Sequence, residues 1–568
     1  MTASPYLVLL ETSGNQNFIF STNKLKENIG ASELTYRAGT RWVLDAVADI
    51  NQTPELGQWA NSQELREILR NKDLNPAIEQ GDKPLEIIIA TSGKALILSR
   101  TEEDAKDLIR RVTQRAIAEA PGLNLSGVFV AIQNWDQTNS LDTAIQDVHK
   151  TFEETQPYRP TADARFLRLP IIADCSFSGL PASRLEHTPE NEQVPISQVS
   201  YRKRKAAEAG IRRLHQIPSE NSTPKLIQNI NQLEGDVEWL AIVHADGNGL
   251  GQIFLNFANC LGTAPSNREY ISSYREFSLE LDECTEAAFE KAIQEAFKKD
   301  DKKDKEKKAV PLVPLIVGGD DLTVVCDGKA ALKFTQVFLT QFEAQTEQKE
   351  KIPKIAKKQF GINRLSACAG IAIIKPHFPF SVAYELAESL IKSAKSVKQT
   401  IIKPNSKPIT PFPCSAIDFH ILYDSTHIDL ERIRRNLQPE ATTYLYNRPY
   451  VVTELEKLES AEGQDWASQH HWTRLCDRVT RLQSDPDGDQ DRDSGVKLPS
   501  SQSHALRTAL FLGREAANAQ YALIQKRYSL EWFAEDNEKT SLFYQSQDKG
   551  QINFHTTFLD ALDAQEFL

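Results

Sequence analysis

No apolar run in the chain approaches the roughly 20 residues that cross a bilayer as a helix, so no membrane span is expected. The N-terminus lacks a basic stretch leading into an apolar one, so no secretory signal is expected either. Cysteine is sparse and scattered. The seven residues, at 175, 260, 284, 326, 368, 414 and 476, form no C-x-x-C pair, which argues against a zinc ribbon and against a disulfide framework. That usage fits a reducing, cytoplasmic setting. Positive charge is also short. With 66 Lys and Arg against 78 Asp and Glu, the net charge of −12 has the wrong sign for a nonspecific nucleic-acid binder. The length of 568 residues suits about three or four domains.

The stretch with most chemistry runs from Val313 to Val325. An apolar run enters Gly318-Gly319-Asp320-Asp321 and a second apolar run leaves it, the pattern of a β-hairpin with glycines at its turn. Adjacent aspartates at a buried tip repel each other unless a cation lies between them. Hard oxygen ligands favour Mg²⁺ or Mn²⁺ over zinc, and such ions neutralise phosphate charge in nucleotidyl transfer. Turn composition alone equally accounts for an acidic surface turn.

The chain predicts strands at 6–10, 86–89, 95–98, 127–132, 240–245 and 367–374. It predicts helices at 102–119, 140–153, 268–298, 329–347 and 382–398. Phe18, Phe20, Leu25 and Ile29 are expected to be buried, Gly30 to end a helix, and Ser32 to cap the next. Residues 179–230 are expected to be a partly ordered linker with a helix near 199–215. Its basic run Arg202-Lys203-Arg204-Lys205 is expected as a solvated helix face rather than an RNA contact. Residues 298–308 are expected as a charged loop or a fraying helix end. The acidic run from Asp485 to Asp493 lacks the glycine and closing Glu of a calcium loop and is expected to be a surface loop.

The chain repeats itself. Residues 7–15 align with 240–248, and 87–93 with 315–321. Ser13 and Ser92 are 79 residues apart, Asp246 and Asp320 74. Each copy continues with a helix, a strand and a helix, giving two βααββαβ-like units. In this alignment Ser13 replaces Asp246, while Ser92 and Gly93 replace Asp320 and Asp321. One copy is acidic and the other is stripped. If the copies face each other, the stripped one can hold a second substrate. Asp246 at a strand end and Asp320-Asp321 at a hairpin tip converge when those strands are neighbours, a far more specific pattern than the hairpin alone.

These residues, together with Asn17-Phe18-Ile19-Phe20, Ile29-Gly30-Ala31-Ser32-Glu33-Leu34 and the helix around Ala383–Lys395, resemble the large polymerase/cyclase subunit of type III CRISPR effector complexes. The resemblance implies an α+β fold. Two ferredoxin-like palm domains stand in tandem, a degenerate one at 1–178 and a catalytic GGDD palm at 231–412, joined by the 179–230 linker and followed by an α-helical C-terminal domain at 413–568. It implies an enzyme that joins ATP by 3′–5′ links into cyclic oligoadenylate messengers for antiviral defence, with other effector subunits and guide or target RNA as partners. Carried over by position, Asp246 and Asp320 hold two divalent ions with help from the Gly247 carbonyl, and Asp321 completes the site or orients a ligand. Asn248, Gly249, Gly318 and Gly319 are nucleotide-binding candidates. Lys395 is either a cation for the triphosphate or a solvated helix lysine. Ser13, Asn15 and Ser92 are weaker candidates for cradling the acceptor nucleotide.

The sequence departs from that family's common pattern. No His-Asp dipeptide occurs, so an HD nuclease domain and DNA cleavage are not expected of it, and only Cys175 lies where many members carry a zinc module. Two other readings follow from these departures. One is a palm cyclase making another nucleotide signal outside a CRISPR complex. The other is a catalytically weak scaffold for RNA and protein. In the C-terminal region helices are expected near 428–436, 450–461, 464–483, 502–526 and 529–535. No role is assigned to Arg448-Pro449-Tyr450.

Overall fold

A computed structural model describes residues 4–160, 163–187, 192–217, 226–227, 233, 237–262, 265–298, 309–406, 410–423, 429–483, 498–528, 530–536, 538–548 and 550–568. The first sheet contains β1 (Tyr6–Ser13), β2 (Leu85–Thr91), β3 (Lys94–Ser99) and β4 (Asn124–Ala131), in the antiparallel order β2-β3-β1-β4. Helix Glu102–Glu119 lies between β3 and β4. The Thr101 hydroxyl caps it by accepting the Asp104 N–H, and three acids fill its first turn, as the helix dipole favours.

After a hairpin of β5 (Ala182–His187) and β6 (Gln193–Ser197), the same order recurs in the second palm. Here β7 (Leu240–Gly247), β8 (Leu312–Gly318), β9 (Asp321–Asp327) and β10 (Ala367–Ile374) are arranged β10-β7-β9-β8. Both are ferredoxin-like βαββαβ orders, so the repeat seen in the sequence is a repeat of fold. Both hairpins also bulge at one place, between Ile87 and Ile89 and between Pro314 and Ile316. Pro314 is tolerated because β8 is the sheet's edge strand.

The palms cross reciprocally. Helix Leu25–Gly39 of the first lies on β8, and helix Asn267–Ala296 of the second lies on β2. Ser32 Oγ donates to the Leu315 carbonyl. At the other crossing Arg275 Nη2 donates to the Ile87 carbonyl at 2.7 Å. Leu25–Gly39 is one continuous helix, so Gly30 does not end it and Ser32 caps nothing. Gly30 is instead where helix Gln198–His215 crosses, and a Cβ there would lie 1.7 Å from the Lys203 carbonyl oxygen.

That crossing also corrects the basic run. Lys203 is buried, with Nζ bonded to the Phe18 carbonyl and, at 3.0 Å, to Ser21 Oγ. Arg204 pairs with Glu27 at 2.8 Å and Glu186 at 2.7 Å. The helix is therefore a packed part of the first palm.

The C-terminal region is more than a helical appendix. Besides its helices it contributes β11 (Ala416–Ile421), parallel to β10, and β13 (Tyr450–Val451) to the second palm's sheet. A further sheet joins β12 (Thr443–Tyr444), β14 (Tyr544–Asp548) and β15 (Gln551–His555). Residues 450–461 thus begin as a strand and hold only the short turn Leu455–Leu458, not a full helix. The 502–526 stretch breaks into two helices at Gly513. Arg448 and Tyr450 meet Asp560 at 2.9 and 2.8 Å, which ties the last helix, Phe558–Ala564, to the sheet edge. Among the described residues no helix is long and apolar enough to cross a membrane. Residues 299–308 and 485–493 lie outside the described residues.

Candidate metal and nucleotide site

Asp246 is the next-to-last residue of β7, and Asp320 and Asp321 sit on the β8–β9 turn beside it. The strand order makes β7 and β9 neighbours, with Ala245 paired to Leu322. One carboxylate oxygen from each of the three aspartates then lies within 4.8 Å of the other two. Burial pushes the Asp320 carboxyl up to about 6. At Asp321 burial and the adjacent Asp320 charge push it further, to about 8. Three converging oxygen donors, two of them repelling each other, suit a hard divalent cation.

Lys395 is not a solvated helix lysine. It caps helix Phe380–Ala394, and its Nζ pairs with Asp246 Oδ2 and lies 3.5 Å from the Gly247 carbonyl oxygen. Burial first, then Lys398, lowers its pKa to about 8. The turn itself is fixed by residues with no local sequence signature. Asp282 Oδ1 accepts the Gly319 N–H at 3.0 Å, and Thr285 Oγ1 donates to the Gly319 carbonyl. Asp282 is in turn held by Arg66 of the first palm, at 2.7 Å. His244, two residues before Asp246, bonds Thr323 through Nδ1 at 3.0 Å, and burial lowers its pKa to about 4, so it is neutral at neutral pH.

A cavity of about 820 Å³ lies between the palms. Asp320, Asp321, Gly318, Gly319 and Tyr384 line it from one side, and Thr12, Asn15, Ser92, Gly93 and Lys94 from the other. Its size is that of a small-molecule site. Asn15 Oδ1 is buried there without a donor. Ser13 does not line it; its neighbour Thr12 does, with Oγ1 donating to the Gly93 carbonyl at 3.1 Å. Asn248 and Gly249 are also displaced from the expected place. They line a separate cavity of about 160 Å³ with Lys395, Lys398, Phe360 and Phe412. Asn248 Nδ2 is already committed to Ser366 Oγ and the Cys414 carbonyl, at 3.1 and 3.0 Å.

Strand pairing moves the correspondence between the two hairpin tips by one residue. Thr91 pairs with Lys94 around Ser92-Gly93, as Gly318 pairs with Asp321 around Gly319-Asp320. Gly93 therefore stands for Asp320, and Lys94 for Asp321. At that turn position the first copy has an ammonium in place of a carboxylate, and it pairs with Glu11 at 3.2 Å.

Residues 239–401 match the family model described as Cas10/Cmr2, second palm domain. A comparison with curated proteins gave no match. Among solved structures the chain is similar to the Csm1–Csm4 cassette in complex with AMPPNP, at 12% identity over 94% of this chain and 65% of that one, TM-score 0.45. It is also similar to Csm1 in T. onnurineus, at 10% identity, 93% and 64% coverage and TM-score 0.42. A third similarity is to the Csm1–Csm4 cassette in complex with cA4, at 12%, 92% and 69%, TM-score 0.38. The chain spans 55–65% of the length of the Csm1 chains in the pppApA-bound, AMPPNP-bound and apo cassettes. The domain that carries the three aspartates is Cas10-like.

Proposed function

We propose that this chain is a metal-dependent nucleotidyltransferase that joins ATP by 3′–5′ links into cyclic oligoadenylates and releases pyrophosphate. It does so in the cytoplasm as part of a type III CRISPR-like antiviral assembly with effector subunits and guide and target RNA. The observation that carries this reading is the convergence of Asp246, Asp320 and Asp321 on one another inside a Cas10-like domain, with Asp320 and Asp321 lining a cavity walled by both palms.

Two bound divalent ions, Mg²⁺ or Mn²⁺, supply Lewis-acid activation of the acceptor 3′-hydroxyl and charge relief at the α-phosphate and leaving group. Asp246 and Asp320, with the Gly247 carbonyl, are the residues to hold them, and Asp321 completes the donor set. Lys395, displaced from Asp246 when the site is loaded, neutralises the donor triphosphate. Lys398 and the cavity beside Asn248 and Gly249 take another part of the donor. Across the larger cavity, Asn15 and Ser92 hold the acceptor nucleotide, and the orphan Asn15 Oδ1 accepts an exocyclic amino group such as that of adenine.

The test is to incubate the chain, alone and with type III subunits and target RNA, with each nucleoside triphosphate and Mg²⁺ or Mn²⁺, resolving products by mass spectrometry. Cyclic adenylates from ATP, lost in Asp320→Asn/Asp321→Asn, are expected. Turnover that survives that double substitution, or no ATP turnover in the assembled complex, overturns the reading.

A further inference from the structure

In the first palm, a second cavity of about 280 Å³ opens between helices Leu25–Gly39, Arg41–Asn51 and Gln198–His215, and none of the three aspartates lines it. Five arginines line it: Arg37, Arg41, Arg115, Arg212 and Arg213. Glu33 is its one lining acid. The ion pairs do not exhaust these cations. Glu33 accepts from Arg37 and Arg213 only through their Nε atoms, at 2.7 and 2.9 Å. That leaves the terminal nitrogens of both forks without an acceptor among the described residues. Arg41 has no acid partner there and donates to the Gly57 and Trp59 carbonyls, at 2.7 and 2.8 Å.

Two independent features say that something with acceptor atoms belongs here. Trp42 and Trp59 both line the cavity, both are more than nine-tenths buried, and each has an indole N–H with no acceptor. Buried donors of this kind are ordinarily satisfied. The guanidinium groups are also pre-positioned. Arg41 stacks on Trp59 and Arg213 on Tyr36, each with its carbon within 3.8 Å of the ring centre. Cations so fixed lose little side-chain freedom when they bind an anion. The cavity offers many donors, few acceptors and a net positive charge.

We propose that this cavity binds a terminal phosphate group, free or on a nucleotide or short oligonucleotide. Guanidinium forks match the oxygens of a phosphomonoester in geometry and charge, and a doubly charged terminal group outcompetes the singly charged diester of a chain interior. The proposal is independent of the cyclase reading, because it needs neither a metal ion nor the three aspartates.

The full chain is titrated calorimetrically in EDTA at physiological salt with inorganic phosphate, AMP, 5′-phosphorylated diadenylate and its 5′-hydroxyl counterpart. Hydrogen exchange is followed over residues 33–41 and 209–216. The expected result is that at least one phosphomonoester binds and protects both segments. Its affinity falls tenfold or more when the terminal phosphate is removed, and also in Arg37→Gln/Arg212→Gln. The milder Arg37→Lys/Arg212→Lys is expected to fall between, which covers the case in which the first variant misfolds. Which of the first three probes binds best tells the source of the phosphate. Binding to none of them, equal binding of the 5′-hydroxyl compound, or affinity unchanged in both variants overturns the proposal.

Discussion

Arg66 Nη1 lies 2.7 Å from Asp282 Oδ2, and through that carboxylate the first palm holds the turn of the second. Asp282 accepts the Gly319 N–H with its other oxygen, and Arg66 also pairs with Glu286 at 2.8 Å. Both members are largely buried, so removing one leaves the other uncompensated. Arg66→Ala is expected to cost about 3 kcal/mol in denaturant unfolding. Asp282→Asn is expected to keep most of the stability and lower nucleotidyl transfer at least tenfold, because the turn loses its anchor. An Asp282→Asn enzyme with full turnover would show that the turn needs no such support.

Asp320→Asn and Asp321→Asn remove like-charge repulsion as well as metal ligands. In EDTA each is expected to be more stable than the parent by roughly 1–2 kcal/mol near neutral pH. In Mg²⁺ the order reverses, because only the parent gains stability from the ion. Thermal melts in the two buffers check this directly.

The pH dependence follows from the same pair. Their folded pKa values, about 6 and 8, exceed the ordinary 3.8, so the folded state retains protons that the unfolded state has released. Without metal, the contribution of these groups to stability is greatest at the acid end of that window and is lost as pH rises through 6 and then 8. Ion binding requires their deprotonation, so Mn²⁺ affinity is expected to climb across the same window. Titrations at about pH 6, 7 and 8 measure it. A flat profile would assign the ion to other ligands.

Lys395→Met deprives Asp246 of its cation. The expected outcome is a tenfold to hundredfold loss of turnover, about 1.4–2.7 kcal/mol of transition-state stabilisation, with Lys395→Arg retaining more. Pre-steady-state kinetics separate a binding loss from a chemical one.

Gly30→Ala tests the helix crossing. Helix propensity alone predicts a gain of about 1 kcal/mol. The clash with the Lys203 carbonyl predicts a loss of about 2–3 kcal/mol instead. The sign of the change in unfolding midpoint decides.

These residues also mark what was legible in the sequence. Strand Ala367–Ile374 and helix Glu102–Glu119 were readable to the residue, because apolar runs and a Thr cap with three acids are local signals. The hairpin was readable from the apolar runs around Gly318-Gly319-Asp320-Asp321, and Asp246 was tied to it because the chain repeats. Gly30 was misread, since a glycine that ends a helix and one that admits a crossing helix look alike without the partner. Arg66 and Asp282 left no trace, being 216 residues apart with meaning only as a pair. Lys203 and Arg204 looked solvated for the same reason: their partners, Phe18 and Glu27, belong to the first palm. The strand Ala416–Ile421 was lost to the expectation of an all-helical end.

The reciprocal crossing of the palms has a consequence for how the protein can be divided. Each long helix completes the neighbour's hairpin strand, so severing the chain between the palms leaves two bodies that each lack a surface. Expressed as separate polypeptides, they are expected to be aggregation-prone alone and to reassemble on mixing as an obligate one-to-one pair. The chain holds, in effect, two copies of one fold that cover each other's surface, with the carboxylates on one hairpin tip and Lys94 at the matching place on the other.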